Sequence, residues 1–104
     1  MNYISCIVQI LEIPTVELYD NNIPMITFRI RLPYIRNKVD SIVIVNSIIW
    51  GNLAYDLIDY YRINDYVLIE GYISISLDDI LNQVRIELNI IKLYPFLLTI
   101  EKVD

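Results

Sequence analysis

Residues 50–71 read WGNLAYDLIDYYRINDYVLIEG, and within this stretch the spacing of the apolar residues changes from one period to another. Leu53, Leu57 and Tyr61 recur at every fourth position, which is the spacing of a helix with one buried side. Asn64-Asp65 predicts a stop and a turn, because both residue types accept turn geometry. From Tyr66 the apolar residues alternate with polar ones, which indicates a strand. The stretch therefore predicts a short helix over residues 53–61 that leads directly into a strand.

The two sides of this helix are predicted to differ in burial. Ala54 and Ile58 are expected on the same side as the four-residue repeat, facing the core. Asp56, Asp59 and Tyr60 are expected on the outer side, in water.

Four further strands are predicted around this stretch. An apolar run closed by Pro14 forms the first, and Asp20-Asn21-Asn22 makes a hairpin turn, since Asn and Asp tolerate positive φ. The third strand is apolar at nearly every position, which is typical of a strand covered on both sides, by the core and by a helix or partner. Asp78 to Gln83 turns the chain between the last two. The predicted strands span residues 3–13, 24–32, 39–49, 66–77 and 84–94.

Three strands, a helix and two strands is the element order of an OB-fold, a five-stranded, partly open Greek-key barrel. A chain of 104 residues is long enough for one such core and too short for two. The sequence therefore predicts a mostly β protein, with one OB-fold domain over residues 1–104 and its short helix between strands 3 and 4.

The composition agrees with strands and gives a hint of origin. The chain has 22 Ile but one Ala and two Gly, and β-branched residues favour strands. Mean hydropathy is +0.46, yet no apolar run approaches the roughly 20 residues of a membrane span. Many Ile, Asn and Tyr codons indicate an AT-rich genome, such as that of a plastid. Because no signal or transit segment is recognisable, we expect the protein to work in the compartment that makes it.

Missing residue types exclude several kinds of chemistry. The chain has no His and one Cys, so a structural zinc site of the usual Cys/His type cannot form within it. Catalysis by a nucleophile and an imidazole base is excluded as well. Cys6 is expected to be an inert, buried thiol, and the adjacent carboxylates Asp78-Asp79 are expected to be solvated in a turn. We predict no enzyme activity and no cofactor.

Two stretches resemble the single-stranded DNA-binding protein (SSB) family of bacteria and organelles. Residues 14–30 are similar to that family's first hairpin, with a proline, an aromatic residue, a small polar turn, a second proline and an alternating strand. The opening stretch is similar in its aromatic-Gly pair Trp50-Gly51, its helix, the basic Arg62 and the strand Val67 to Gly71. The chain looks most like a poorly characterised SSB-like reading frame of algal plastid genomes.

The resemblance implies a platform on which bases stack. Trp50 matches a base-stacking aromatic of the family, and Tyr34 approximately matches a second. Ile44 and Asp78 stand at the remaining platform positions, so half of the aromatic surface is missing. From the residues alone, Trp50 can equally pack under the helix, and Tyr34 can be an ordinary loop aromatic.

Charge offers a second criterion for nucleic-acid binding. Net charge is −5 and the pI is about 4.5, values that discourage binding of polyanions. No acidic residue lies between Asp20 and Asp40, however, while half of the chain's cations do. Alternatively, the cations of the second strand simply keep an outward face in water. The predicted nucleic-acid-binding residues are Trp50, Tyr34, Arg29, Arg31, Arg36, Lys38 and Arg62.

Two functions remain open at this point. The first is non-enzymatic binding of single-stranded DNA, or RNA, with modest and salt-sensitive affinity, in the maintenance of plastid DNA. The second is an SSB-derived interaction subunit with little nucleic-acid binding, favoured by the acidic charge and the apolar excess. The resemblance implies a homo-oligomer, a dimer or tetramer, in either case. We expect a plastid protein without a membrane span.

Overall fold

The computed structural model of the chain describes residues 2–32 and 43–96. These described residues form one short helix and six strands, so the predicted mostly β architecture is confirmed. The strand that was not predicted separately is a three-residue piece before the first turn. The elements are β1 Asn2–Ile10, β2 Glu17–Tyr19, β3 Ile23–Leu32, β4 Val43–Trp50, α1 Leu53–Tyr60, β5 Tyr66–Asp78 and β6 Gln83–Pro95.

Five of the strands form a ring in the order β1-β5-β6-β4-β3, which β1 closes by pairing with β3. The closure is short, with Gln9 opposite Arg31 and Ile10 opposite Ile30. All pairs are antiparallel except β4 with β6, which run parallel where Asn46 lies opposite Glu87. β2 adds to the free side of β3. A ring of five strands with one helix between the strands fits an OB-fold barrel.

The barrel interior is filled by alternate side chains of every ring strand. On β3 the alternation follows the prediction, because Ile26, Phe28 and Ile30 are buried while Thr27, Arg29 and Arg31 are exposed. Full burial of such a side chain contributes about 1.5–3 kcal/mol. The one buried polar side chain in the described part of the chain is Ser47, and its hydroxyl donates to the Phe28 carbonyl at 2.8 Å.

The helix packs against β3, β4 and β6. Ala54 and Leu57 are completely buried, and Asp56, Asp59 and Tyr60 are exposed as predicted. The expectation for Ile58 was wrong, since 38% of it is exposed. An eight-residue helix presents only a narrow stripe to the core, and positions 54 and 57 already fill it. In residues 2–32 and 43–96, no helix is long and apolar enough to cross a membrane.

Asparagines occupy most of the backbone positions with positive φ. Asn21 and Asn22 make the predicted hairpin turn, each with φ of 61°. The helix ends at Tyr60, before the predicted stop, because Tyr61 is already in extended backbone. Asn64, with φ of 77°, lies in the predicted turn that leads into β5, and its backbone N–H donates to the Ile10 carbonyl at 2.7 Å. The Asp65 carboxylate accepts from the backbone N–H of Arg62 at 2.9 Å. Asparagine tolerates the left-handed backbone conformation. It therefore occupies turn positions that glycine commonly takes, in a chain that has two glycines.

The helix does not cover the outer side of β4, since Ile44 and Trp50 are 49% and 41% exposed. Of the two covers that the sequence allowed for this side, the helix is therefore excluded for the described residues, and a partner stays a prediction. The helix instead places Ala54 and Leu57 in the core. The apolar residues of β4 thus line both the core and an outer surface that the helix leaves exposed.

β5 and β6 extend beyond the barrel as a two-stranded ribbon, residues 74–87, which we call the arm. Among the described strands, β1 reaches β5 only as far as Ile73 and β4 reaches β6 only from Glu87 onwards. Ile75 lies opposite Ile86 and Leu77 opposite Val84, so these four share one face of the arm. All four are more than 40% exposed, although they lie on the same face of β5 and β6 as the core residues Leu88 and Ile90.

Gly71 lies where the backbone of β6 leaves no room for a side chain on β5. A Cβ atom at this position would be 2.1 Å from the Asn89 carbonyl oxygen, and the register of the two strands shifts between Glu70 and Gly71. The pairing passes from Lys92 opposite Glu70 to Ile90 opposite Gly71, so the extra residue of this β-bulge is Ile91 on β6. The Ile-Glu-Gly motif of β5 lies opposite the bulge, at a position where only glycine fits.

Replacing this glycine should damage the barrel. We expect Gly71→Ala to cost about 3 kcal/mol of unfolding free energy, at the upper end of the usual overpacking penalty, because the contact is with backbone that cannot move aside. Gly51→Ala is the matched control, since Gly51 has φ of +81° but open space around it. Its strain should cost about 1–2 kcal/mol. Urea unfolding of both variants checks this, and equal losses would contradict the steric explanation.

Candidate nucleic-acid interface

The outer sides of β3 and β4 form one continuous surface, which we call the β3–β4 face. Its cross-strand pairs are Met25 with Trp50, Thr27 with Ile48, Arg29 with Asn46 and Arg31 with Ile44. The alternate residues of both strands point into the core, so these eight point outwards. At about 3.3 Å per residue the face is roughly 20 Å long, with the tryptophan at one end and cations at the other.

Trp50 lies at the open end of this face. It is 41% exposed and makes an edge-to-face contact with Tyr19, with ring centroids 5.5 Å apart and planes at 81°. Of the two placements considered for Trp50, the structure has the exposed one. Tyr19 was not among the predicted site residues. It reaches Trp50 because β2 and β4 flank β3, with Tyr19 opposite Ile23 and Met25 opposite Trp50.

The two predicted cations of β3 have different surroundings. The Arg29 guanidinium forms an ion pair with Glu12, with Nη2 3.3 Å from Oε2. Arg31 is exposed two residues further along and makes no ion pair with another described residue. Arg31 is therefore better placed than Arg29 to meet a phosphate.

The other predicted site residues lie elsewhere. Tyr34, Arg36 and Lys38 fall outside the described residues. Arg62 lies in the turn between α1 and β5, where its backbone bonds to Asp65, and it is not part of the β3–β4 face. The structure thus brings together Trp50, Arg29 and Arg31 and leaves Arg62 apart.

A polar cleft of about 350 Å³ adjoins the middle of the face. It is lined by side chains from four segments, among them Glu12, Thr27, Asn46, Arg85 and Glu87. Arg85 is a cation that sequence reasoning missed as a site residue. The only local signal was that Arg85 and Glu87 alternate with the apolar residues of β6. Their position beside Asn46 follows from the parallel β4–β6 pairing, which no local pattern reveals.

A second open cleft, of about 360 Å³, lies between the start of β4 and the arm. Ile44, Asn46, Asp78 and Arg85 are among its lining residues. Asp78 helps to form the turn at the tip of the arm, since its Oδ1 accepts from the backbone N–H groups of Ile80 and Leu81 at 3.1 and 3.3 Å. The Asp78 carboxylate thus has a structural part in the turn.

The remaining reactive side chains have structural surroundings. Partial burial raises the pKa of the Cys6 thiol, which keeps it protonated and unreactive at neutral pH. In the described ranges no group of three or more Cys, Asp or Glu residues is placed to hold a metal ion. What the β3–β4 face can offer is stacking on an aromatic ring and contact between guanidinium groups and phosphates.

Solved structures with the same fold define the class of protein. The SSB domain of a Synechococcus sp. protein matches with a TM-score of 0.71 and 22% identity, covering 90% of this chain and 94% of that one. The small single-stranded DNA-binding protein of Streptomyces coelicolor matches with a TM-score of 0.73 and 12% identity, covering 92% and 93%. The second single-stranded DNA-binding protein of Mycobacterium smegmatis gives 0.67 and 18%, covering 96% and 97%. The fold is therefore the OB-fold of SSB domains.

A relative in sequence places the chain more closely. The "Putative single-stranded DNA-binding protein ycf41" of Trieres chinensis is 41% identical over an alignment that covers 94% of this chain and 91% of the relative. No family model matches the chain. The chain belongs to the SSB family, with ycf41 as its relative, and the predicted family is confirmed.

The exposure of Trp50 can be tested directly, since it is the one tryptophan of the chain. We expect acrylamide to quench its fluorescence in the native protein, because the ring is open to solvent on the outer face. Tyr19→Ala should increase the quenching, since it removes the contacting ring. A native protein that resists quenching until it is unfolded would show instead that Trp50 is packed away.

Proposed function

We propose that this protein binds single-stranded DNA non-enzymatically on the β3–β4 face and serves plastid DNA maintenance. The observation that carries the proposal is the shared placement of exposed Trp50 and the cations Arg29 and Arg31 on one outer face of an SSB-type barrel. Membership of a family named for single-stranded DNA binding supports it. The AT-rich composition and the ycf41 relative support the plastid location.

The proposed affinity is modest and depends strongly on salt. Stacking on one aromatic residue supplies about 1–3 kcal/mol per base. Each phosphate contact to a single strand contributes about 0.7 to the dependence of log affinity on log salt. With Arg29 paired to Glu12, Arg31 and Arg85 are the main phosphate contacts proposed among the described residues. Tyr34, Arg36 and Lys38 remain predicted additions to this interface.

Titration of a fluorescent oligodeoxynucleotide at low and moderate salt tests the proposal. Trp50→Ala should weaken binding roughly five- to hundredfold, the equivalent of one stacked base. Arg31→Ala should weaken binding and lower the salt slope by about 0.7.

Lys92→Ala is the matched control, because it removes one cation from β6 away from this face, opposite Glu70. If neither Trp50→Ala nor Arg31→Ala changes the affinity, the proposed site is wrong. A protein that binds no oligonucleotide at low salt would refute the function, and an RNA oligonucleotide of the same sequence distinguishes the two nucleic acids.

A second candidate function, as a protein-interaction subunit, is favoured by the arm. Its apolar face carries Ile75, Leu77, Val84 and Ile86, and Ile80 at the tip is 93% exposed. A stable interface needs a contiguous, largely apolar surface, and these five exposed aliphatic residues lie together on the arm. We propose a second copy of the chain as the occupant, which gives the homo-oligomer a place of contact.

The outer side of β1, β5 and β6 is a further candidate surface, in which tyrosines lie beside Glu70 and Lys92. Tyr3 and Tyr72 contact edge to face there, with ring centroids 5.1 Å apart. The Tyr3 hydroxyl donates to the Glu70 carboxylate, and this hydrogen bond is the main reason that the pKa of Tyr3 is raised to about 12. A protein partner on this side would have to cover the charged Glu70 carboxylate, so we propose the arm as the preferred place of contact.

Sedimentation velocity over a range of concentrations separates these surfaces. Leu77→Ser with Val84→Ser should shift the oligomer towards monomer, because both changes make the arm face polar. The control is Tyr72→Ser on the other surface, which should leave association through the arm intact. A wild-type protein that stays monomeric at high concentration would contradict self-association. If Tyr72→Ser alone dissociates the oligomer, the contact between copies lies on the tyrosine surface and not on the arm.

A further inference from the structure

The ion pair between Glu12 and Arg29 lies beside the proposed interface and carries a consequence for its affinity. Glu12 Oε1 accepts from the backbone N–H of Arg29 at 3.0 Å and from its Nε at 3.4 Å. Oε2 accepts from Nη2 at 3.3 Å. One carboxylate thus engages both the backbone and the fork of the same arginine.

The position of Glu12 follows from the end of β1. The β1–β3 ladder contains Ile10 opposite Ile30 and stops there, and one more backbone bond joins the Leu11 N–H to the Arg29 carbonyl at 3.2 Å. As the chain turns away, the carboxylate of Glu12 replaces the next backbone acceptor. The contact is therefore built into the way that β1 leaves the barrel.

A carboxylate and a phosphate compete for the same guanidinium. Both present two oxygen atoms to the arginine fork with similar geometry. Two of the five guanidinium N–H groups already point to Glu12, and the pair is close to neutral. A phosphate must therefore displace the carboxylate or bind the remaining donors beside a negative charge.

We propose that Glu12 is an internal competitor for phosphate at Arg29 and holds down the affinity of the β3–β4 face for polyanions. Both side chains are accessible, with 57% of Arg29 and 39% of Glu12 exposed. An exposed pair of this kind is weak and opens readily, so Glu12 reduces binding without blocking it. The inference rests on the proposed single-strand binding.

Glu12→Gln tests the competition, because the amide oxygen still accepts from the Arg29 backbone while the charge is removed. We expect tighter binding to a single-stranded oligonucleotide, by about two- to fivefold, the range that a weak exposed ion pair represents. The salt slope should steepen by up to about 0.7 as Arg29 gains a phosphate.

Asp59→Asn is the matched control. It removes the same single charge from the exposed side of the helix, so it reports the effect of net charge alone. Arg29→Ala supplies the second comparison. In the otherwise wild-type protein, Arg29→Ala should weaken binding less than Arg31→Ala does. In the Glu12→Gln background, the loss of affinity caused by Arg29→Ala should be several-fold larger.

The outcomes separate this inference from the proposed function. If the wild type and all variants fail to bind at low salt, the proposed function is wrong. If the wild type binds but Glu12→Gln matches Asp59→Asn, or binds more weakly, Glu12 is not a competitor. If Glu12→Gln does not fold, the comparison of Arg29→Ala with Arg31→Ala in the otherwise wild-type protein decides. An equal loss of affinity in these two variants would overturn the inference.

Discussion

The close contact between Gly71 and the Asn89 carbonyl is the constraint on which the rest of this structure depends. β5 pairs with β1 on one side and β6 on the other, and β6 in turn holds β4. Ring closure therefore passes through the β5–β6 hairpin, whose register shifts at the bulge beside Gly71. A bulge increases local twist and bends the strand, and strands must coil to close a barrel. The same hairpin continues outwards as the arm.

The barrel separates aromatic stacking from charge on its outer surface. Trp50 ends β4 beside Tyr19, while the arginines lie further along β3. Into this basic region the fold brings the carboxylates of Glu12 and Glu87, which line the same cleft as Arg85. An acidic protein with a small basic face has a limited electrostatic attraction for polyanions, so contact with bases must supply much of any affinity.

The chain has two glycines, and asparagine takes the place of glycine at most of the described positions with positive φ. Asn21, Asn22, Asn64 and Asn82 all have positive φ, a conformation that other proteins commonly give to glycine. Asn tolerates this region better than most residues with a side chain. Glycine is retained at Gly71, where the obstacle is the space for a Cβ atom and no asparagine would fit.

The sequence by itself determined the local structure of this protein. Alternation on β3, the four-residue repeat of the helix and the Asn-containing turns depend on neighbours in the chain, and each was predicted together with the family. What only the tertiary structure decided is which surfaces meet: Arg85 beside Asn46, Glu12 on Arg29, Tyr19 on Trp50, and an open outer side of β4. These contacts depend on the parallel β4–β6 register and on the exit path of β1. Pairing between distant segments is set by the closure of the whole barrel, which the periodicity of a single strand does not encode.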